Sequence, residues 1–180
     1  MIYVFLADGF EEVEALVPVD MLRRAGAEVK TVGVTGKVVT SSHNVPVTAD
    51  ITKEEISLNS SLELIVLPGG MPGSNNLEAD ETVQKAIDYC TENDIFVSAI
   101  CAAPKILGHK GLLKGRKATC FPGFENDLIG AELTGLPAVR DGKFITGKGA
   151  GAAFAFGAEL LKALYGTEKA DDICKKMQCV

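Results

Sequence analysis

Four strand-length segments, Ile2–Leu6, Glu28–Val34, Leu62–Leu67 and Ile95–Ile100, constrain this chain most, because helix-length stretches stand between or after them. A helix is expected from about Glu11 to Ala25. Glu11, Glu12 and Glu14 fall in its first turns, Arg23 and Arg24 in its last, and Gly26 ends it. That order of charge suits the helix dipole, and glycine suits the stop. A strand, a helix and a strand in succession call for parallel pairing. Asp80 is expected to cap a helix from Glu81 to about Asn93, and Ala102 to about His109 reads as a further helix. Lys37–Thr40 and Val45–Thr48 read as short strands around a Ser/His/Asn turn. The last third holds short strands near Ala118–Phe121, Ala138–Arg140 and Lys143–Thr146, then helices at about Ala150–Leu164 and Glu168–Met177. Strands and helices alternating throughout imply a doubly wound α/β fold. No repeat or linker interrupts the pattern, so residues 1–180 read as one domain.

Composition excludes several function classes. With 47% hydrophobic and 23% charged residues the chain is globular, and 180 residues suffice for a full core. A net charge of -6 repels nucleic acid and anionic membranes, so neither is an expected partner. No apolar run reaches the roughly 20 residues of a membrane span. The first strand follows Met1 with no basic region before it, so no secretory signal is expected. The five cysteines, Cys90, Cys101, Cys120, Cys174 and Cys179, show no C-x-x-C spacing. Free thiols in a reducing, cytoplasmic setting are the expectation. His43 and His109 lie far in sequence from each other and from any cysteine pair, so no zinc or other metal site is expected.

The chemistry centres on Val97-Ser98-Ala99-Ile100-Cys101-Ala102-Ala103-Pro104. A core strand stops at Cys101 and a helix begins at once, with Pro104 in its first turn, where a missing N–H costs little. This arrangement resembles a nucleophile elbow without the G-x-S-x-G sequence. A thiol facing a helix N-terminus should ionise below the free value of about 8.5. The spacing is equally compatible with a buried structural cysteine. Pro68-Gly69-Gly70 ends a strand expected beside that of Cys101. Its amides could join that of Ala102 in an oxyanion hole, or could form a plain tight turn. Glu11 and Glu12 are explained as solvated first-turn acids. Glu14 either joins them or points at the Cys101 pocket, in which case burial would raise its pKa and let its carboxyl donate to a thiolate.

Taken in order, five motifs resemble the DJ-1/ThiJ/PfpI superfamily, in particular its DJ-1-like branch. They are Asp8-Gly9-Phe10-Glu11-Glu12-Val13-Glu14, the Pro18–Gly26 segment, Leu67-Pro68-Gly69-Gly70, Ala99-Ile100-Cys101-Ala102-Ala103-Pro104, and Ile145–Gly151 followed by Phe154-Ala155-Phe156. The resemblance covers essentially the whole chain. It implies a flavodoxin-like sandwich with a mostly parallel central sheet and helices on both faces. It also implies a homodimer with the first helix near the contact. It carries the nucleophile onto Cys101, its carboxyl partner onto Glu14, and the oxyanion amides onto Gly70 and Ala102. Gly69, Phe121 and His43 become possible pocket residues. The implied activities are cofactor-independent glyoxalase or deglycase action on reactive 2-oxoaldehydes and glycated adducts, oxidation sensing, and chaperone action. Two departures stand out. Phe121 occupies the place before Pro122 where many relatives carry a histidine, and Ala102 follows the cysteine where protease-type members have a histidine.

Overall fold

The computed structural model describes residues 1–179. Its strands are β1 (Ile2–Leu6), β2 (Val29–Gly33), β3 (Val38–Thr40), β4 (Pro46–Thr48), β5 (Ile51–Thr52), β6 (Leu64–Leu67), β7 (Phe96–Ile100), β8 (Lys117–Ala118), β9 (Glu132–Leu133), β10 (Ala138–Asp141) and β11 (Phe144–Gly147). Its α-helices are α1 (Glu12–Arg24), α2 (Gly73–Ala79), α3 (Glu81–Glu92), α4 (Pro104–His109), α5 (Ala153–Tyr165) and α6 (Thr167–Lys176).

Seven strands form the central sheet in the order β10-β11-β7-β6-β1-β2-β5. All its pairings are parallel except that of β10 with β11. Successive strand residues point to opposite faces, and both faces are covered. Ile2, Val4 and Leu6 pack with Ala15, Met21 and Leu22 of α1 and Phe156 and Leu160 of α5. Tyr3 and Phe5 pack on the other side with Leu77, Ile87 and Ile106 of α2, α3 and α4. Every residue of β1 is buried, which explains a run of apolar side chains without alternation. The result is the flavodoxin-like sandwich expected from the sequence. Among the described residues no helix is long and apolar enough to cross a membrane.

The sheet places the two expected turns side by side. β6 and β7 pair in register from Leu64 with Phe96 to Leu67 with Ala99, so Pro68 and Cys101 leave the same sheet edge. That edge, at the carboxyl ends of parallel strands, is where open α/β sheets hold ligands.

Local structure departs from the sequence reading in four places. The helix after Cys101 starts at Pro104 rather than Ala102 and has only 6 residues, because Cys101 takes φ 66 and residues 101–103 form turns. The strand near residue 118 covers only Lys117–Ala118. Beyond it, the Thr119 N–H donates to Thr146 Oγ1 at 2.9 Å and the Phe121 N–H to the Cys101 carbonyl at 2.9 Å, which draws the chain off the ladder and over the cysteine. Helix α2 fills a stretch that carries no sequence signature beyond its leading glycines and proline. Glu11 is not a solvated acid: it is the N-cap of α1, and its Oε2 accepts from the Glu14 N–H at 2.7 Å. Asp80 caps α3 as expected, accepting from the N–H groups of Thr82 and Val83.

Candidate active site

Cys101 is a non-glycine residue in the left-handed region, at φ 66. That conformation costs energy and persists only where the surroundings enforce it. Here its N–H donates to the Gly147 carbonyl at 2.9 Å, and its own carbonyl accepts from Phe121. Both bonds hold the turn from neighbouring segments, and the side chain stays partly accessible.

Glu14 comes from the first turn of α1 and is fully buried. Its Oε2 accepts from the Gly69 N–H at 2.9 Å. Its Oε1 is buried and, among the described residues, has no hydrogen-bond partner of standard geometry. The Cys101 thiol is the polar side chain facing this carboxyl. Of the two readings open for Glu14, the structure realises the one that aims it at the cysteine. Gly69 makes the approach possible: a Cβ there would lie 2.5 Å from Glu14 Oε2 and 2.6 Å from the Cys101 Cβ. Gly70, at φ 87, is equally constrained, since a Cβ would stand 2.5 Å from the Glu11 nitrogen.

Burial raises the Glu14 carboxyl to about 7, with the Glu11 charge adding to the rise while the thiol and the Gly69 amide oppose it. Burial also pushes the Cys101 thiol up, to about 12, helped by the charge of Glu14 and its hydrogen bond. The Gly70 and Ala102 amides pull the thiol the other way. The low thiol pKa expected from a helix terminus is therefore not realised beside a charged Glu14. The six-residue α4 offers a weak field, and a buried carboxylate against the sulfur outweighs it. Protonation of Glu14 removes that charge and leaves the two amides acting on the sulfur. Cysteine and carboxyl thus titrate as a pair.

The Gly70 and Ala102 amides both act on the Cys101 sulfur and lower its pKa. Phe121 stands beside the cysteine, is 47% exposed, and rests against Gly149. With Pro122, Pro137, Lys148 and Gly149 it lines a cleft of about 490 Å³. His43 is not brought to the cysteine. It sits on the exposed β3–β4 turn, where its Nδ1 pairs with Glu12 at 3.0 Å. Glu11, Glu12 and His43 each bring one possible ligand atom within 4.8 Å of the others. The His43–Glu12 ion pair and the Glu11 cap already engage these groups.

One cluster escaped the sequence reading. His109, the last residue of α4, bonds Glu78 of α2 through Nδ1 at 2.5 Å and Asp127 through Nε2 at 3.2 Å. Lys105, buried on the same helix, pairs with Glu78 at 3.3 Å. These contacts brace the segments that follow Gly70 and Phe121. The i, i+4 spacing of Lys105 and His109 was visible, but their acidic partners on other elements were not.

The description "DJ-1/PfpI family" belongs to the family model that matches residues 1–163. Protein DJ-1 homolog B of Arabidopsis thaliana is 36% identical over 171 residues, 93% of this chain but only 39% of the plant protein. The chain thus spans well under half the length of that relative. Deglycase PfpI of Pyrococcus furiosus is 32% identical over 160 residues, 88% of this chain and 95% of the archaeal one. The solved structure of oxidized Toxoplasma gondii DJ-1 superposes with a TM-score of 0.93 at 31% identity, covering 98% of this chain and 97% of that one. With the model matched from β1 through most of α5, this chain belongs to the DJ-1/PfpI family.

Proposed function

We propose that this protein is a cysteine-dependent enzyme of reactive 2-oxoaldehydes and their adducts, with Cys101 as nucleophile and Glu14 as proton carrier. The observation that carries the reading is the pairing of a strained, partly accessible cysteine with a fully buried carboxyl whose Oε1 has no other polar group to meet among the described residues. The archaeal relative's name, deglycase, is in keeping with it.

The thiol proton passes to Glu14, leaving a thiolate beside a neutral carboxylic acid. The thiolate adds to the aldehyde carbon and forms a hemithioacetal whose oxyanion is stabilised by the Gly70 and Ala102 amides. Glu14 gives the thiol's proton to that oxyanion, and the carboxylate so formed takes the proton from the carbon bearing this oxygen and returns it to the neighbouring carbon through an enediol, giving a thioester. Water cleaves the thioester to a 2-hydroxy acid and frees the thiol. The sequence is an internal redox isomerisation plus hydrolysis, so it consumes water alone. On a glycated amine or thiol, the thiolate attacks the adduct carbon, the bond to the amine or thiol breaks, and that group leaves with the proton held by Glu14; the isomerisation and hydrolysis then follow unchanged.

A second reading is oxidation sensing. The thiolate attacks a peroxide oxygen, water or hydroxide leaves, and the sulfenate can be oxidised again to sulfinate. It is favoured by this Oε1, which can donate to an oxidised sulfur when protonated, and by the oxidized state named for the Toxoplasma relative. The cytoplasm is the setting in which both readings operate. A homodimer through α1 accords with an apolar groove there, lined by Val13, Leu16 and Val17 with Phe154 and Met177. Light scattering of the purified protein tests the dimer.

Lactate formation from methylglyoxal, measured for the native protein beside Cys101→Ser and Glu14→Gln, tests the enzyme reading. Turnover lost in both variants upholds it. No turnover by native protein whose Cys101 is confirmed reduced removes it and leaves sensing.

A further inference from the structure

Helix α6 ends in a complete left-handed cap. Gln178 takes φ 56, the Cys179 N–H donates back to the Cys174 carbonyl at 3.0 Å, and the Gln178 N–H donates to the Lys175 carbonyl at 3.2 Å. These are the two nested bonds of a Schellman motif, which brings the side chain after the left-handed residue onto the one five positions earlier. In most proteins that contact is made by two apolar residues. Here both positions are cysteines, so the cap sets one thiol-bearing residue over the other. Both are free and partly accessible. A link of 3.0 Å between the two backbones is the kind of close approach a disulfide needs, whose Cα atoms stand about 4.4–6.8 Å apart.

We propose that Cys174 and Cys179 form a second redox site, a dithiol that closes to a disulfide by exchange with small-molecule disulfides, independently of Cys101. The Cys179 thiolate, on the segment outside the helix, attacks one sulfur of the disulfide RSSR and expels one thiolate RS⁻. Cys174 then loses its proton to solvent and attacks the Cys179 sulfur, expelling the second RS⁻. Two protein thiols are oxidised, one RSSR is reduced to two RSH, and no other reactant is needed. The cap performs the alignment: a left-handed Gln178 turns Cys179 back over the helix end, whereas an extended residue would carry it away.

The test uses Cys101→Ser protein, incubated with hydroxyethyl disulfide, trapped with iodoacetamide and cut with trypsin. Cleavage after Lys175 and Lys176 separates the two cysteines, so a disulfide joins peptides 170–175 and 177–180. The expected product is that linked pair, two hydrogens lighter than the two thiol peptides and separated again by dithiothreitol. Cys174→Ser is expected to leave Cys179 as a stable mixed disulfide with the reagent. Gln178→Pro, which holds φ near about -65°, is expected to lower the linked fraction about tenfold at a fixed reagent ratio, while Gln178→Gly preserves it. The proposal is overturned if both cysteines emerge alkylated or carry separate reagent adducts in protein whose circular dichroism is native. Equal linkage in Gln178→Pro and unaltered protein overturns it too, because the cap would then not be what aligns the thiols.

Discussion

The Gly69 amide donates to the Glu14 carboxyl at 2.9 Å across 55 residues of sequence, and the missing Gly69 side chain leaves the space in which Glu14 meets Cys101. Gly69→Ala is therefore expected to force the carboxyl and the cysteine apart. Its Cβ would also stand 2.9 Å from the Ile100 carbonyl oxygen, so the backbone must shift. The expected cost is about 1–3 kcal/mol of stability, with loss of methylglyoxal turnover. Urea midpoints and initial rates check both.

Glu14 makes stability depend on pH. Its native pKa, about 7, lies above the ordinary 4.5, so the folded protein keeps a proton that the unfolded chain has released. Stability is fully present below the ordinary value and falls as pH rises through this window. The displacement corresponds to about 3 kcal/mol lost by the time the native group ionises. Glu14→Gln is expected to lack this decline. Urea unfolding on both sides of the window measures it, and parallel curves for the two proteins would sink the argument.

The same substitution should ease ionisation of Cys101. Glu14 raises the thiol by its charge and its hydrogen bond, whereas the Gly70 and Ala102 amides lower it. With a neutral amide in place of the carboxylate, the thiolate absorbance in the ultraviolet is expected to appear at lower pH than in the native protein. Proton shuttling is lost all the same, so faster alkylation of Cys101 should accompany slower turnover of methylglyoxal.

Phe121 stands where an acid–base side chain would be useful, its N–H bonded to the Cys101 carbonyl at 2.9 Å. It is 47% exposed, so replacing it opens no void in the core. Phe121→His is expected to raise the rate on methylglyoxal by about tenfold, below the 10²–10⁴ typical of an evolved general base. An unchanged or lower rate would show that the ring serves as a cleft wall for substrate rather than as the place of a missing relay.

His109 spans Glu78 and Asp127, and its pKa is raised first by the hydrogen bond it donates to Glu78. The protonated ring donates to both acids, so this brace is fully present below the ordinary histidine value of about 6.5 and is lost as pH rises through the raised native value. The ring is 42% exposed, which keeps the contribution within about 1 kcal/mol. His109→Ala is expected to speed hydrogen exchange of residues 124–128 at mildly acidic pH and to have little effect at alkaline pH.

Much of this protein was legible in its sequence because it rests on local rules. Buried parallel strands need unbroken apolar segments, so β1, β6 and β7 could be read directly. Helices α1 and α3 announced themselves through their end charges and the Asp80 cap. The stop of β7 at Cys101, followed by small residues and Pro104, marked the elbow. Local rules said little about Thr119–Phe121, because those backbone groups bond Thr146 and Cys101 rather than a neighbouring strand. Only the tertiary structure decided the role of Glu14 among three clustered acids: Glu11 caps the helix, Glu12 meets His43, and Glu14 turns inward. The same holds for the sign of the Cys101 shift. A helix terminus is a local feature, but the burial and the carboxylate that outweigh it come from packing α1 against the β6–β7 edge, and desolvation is a property of the assembled core.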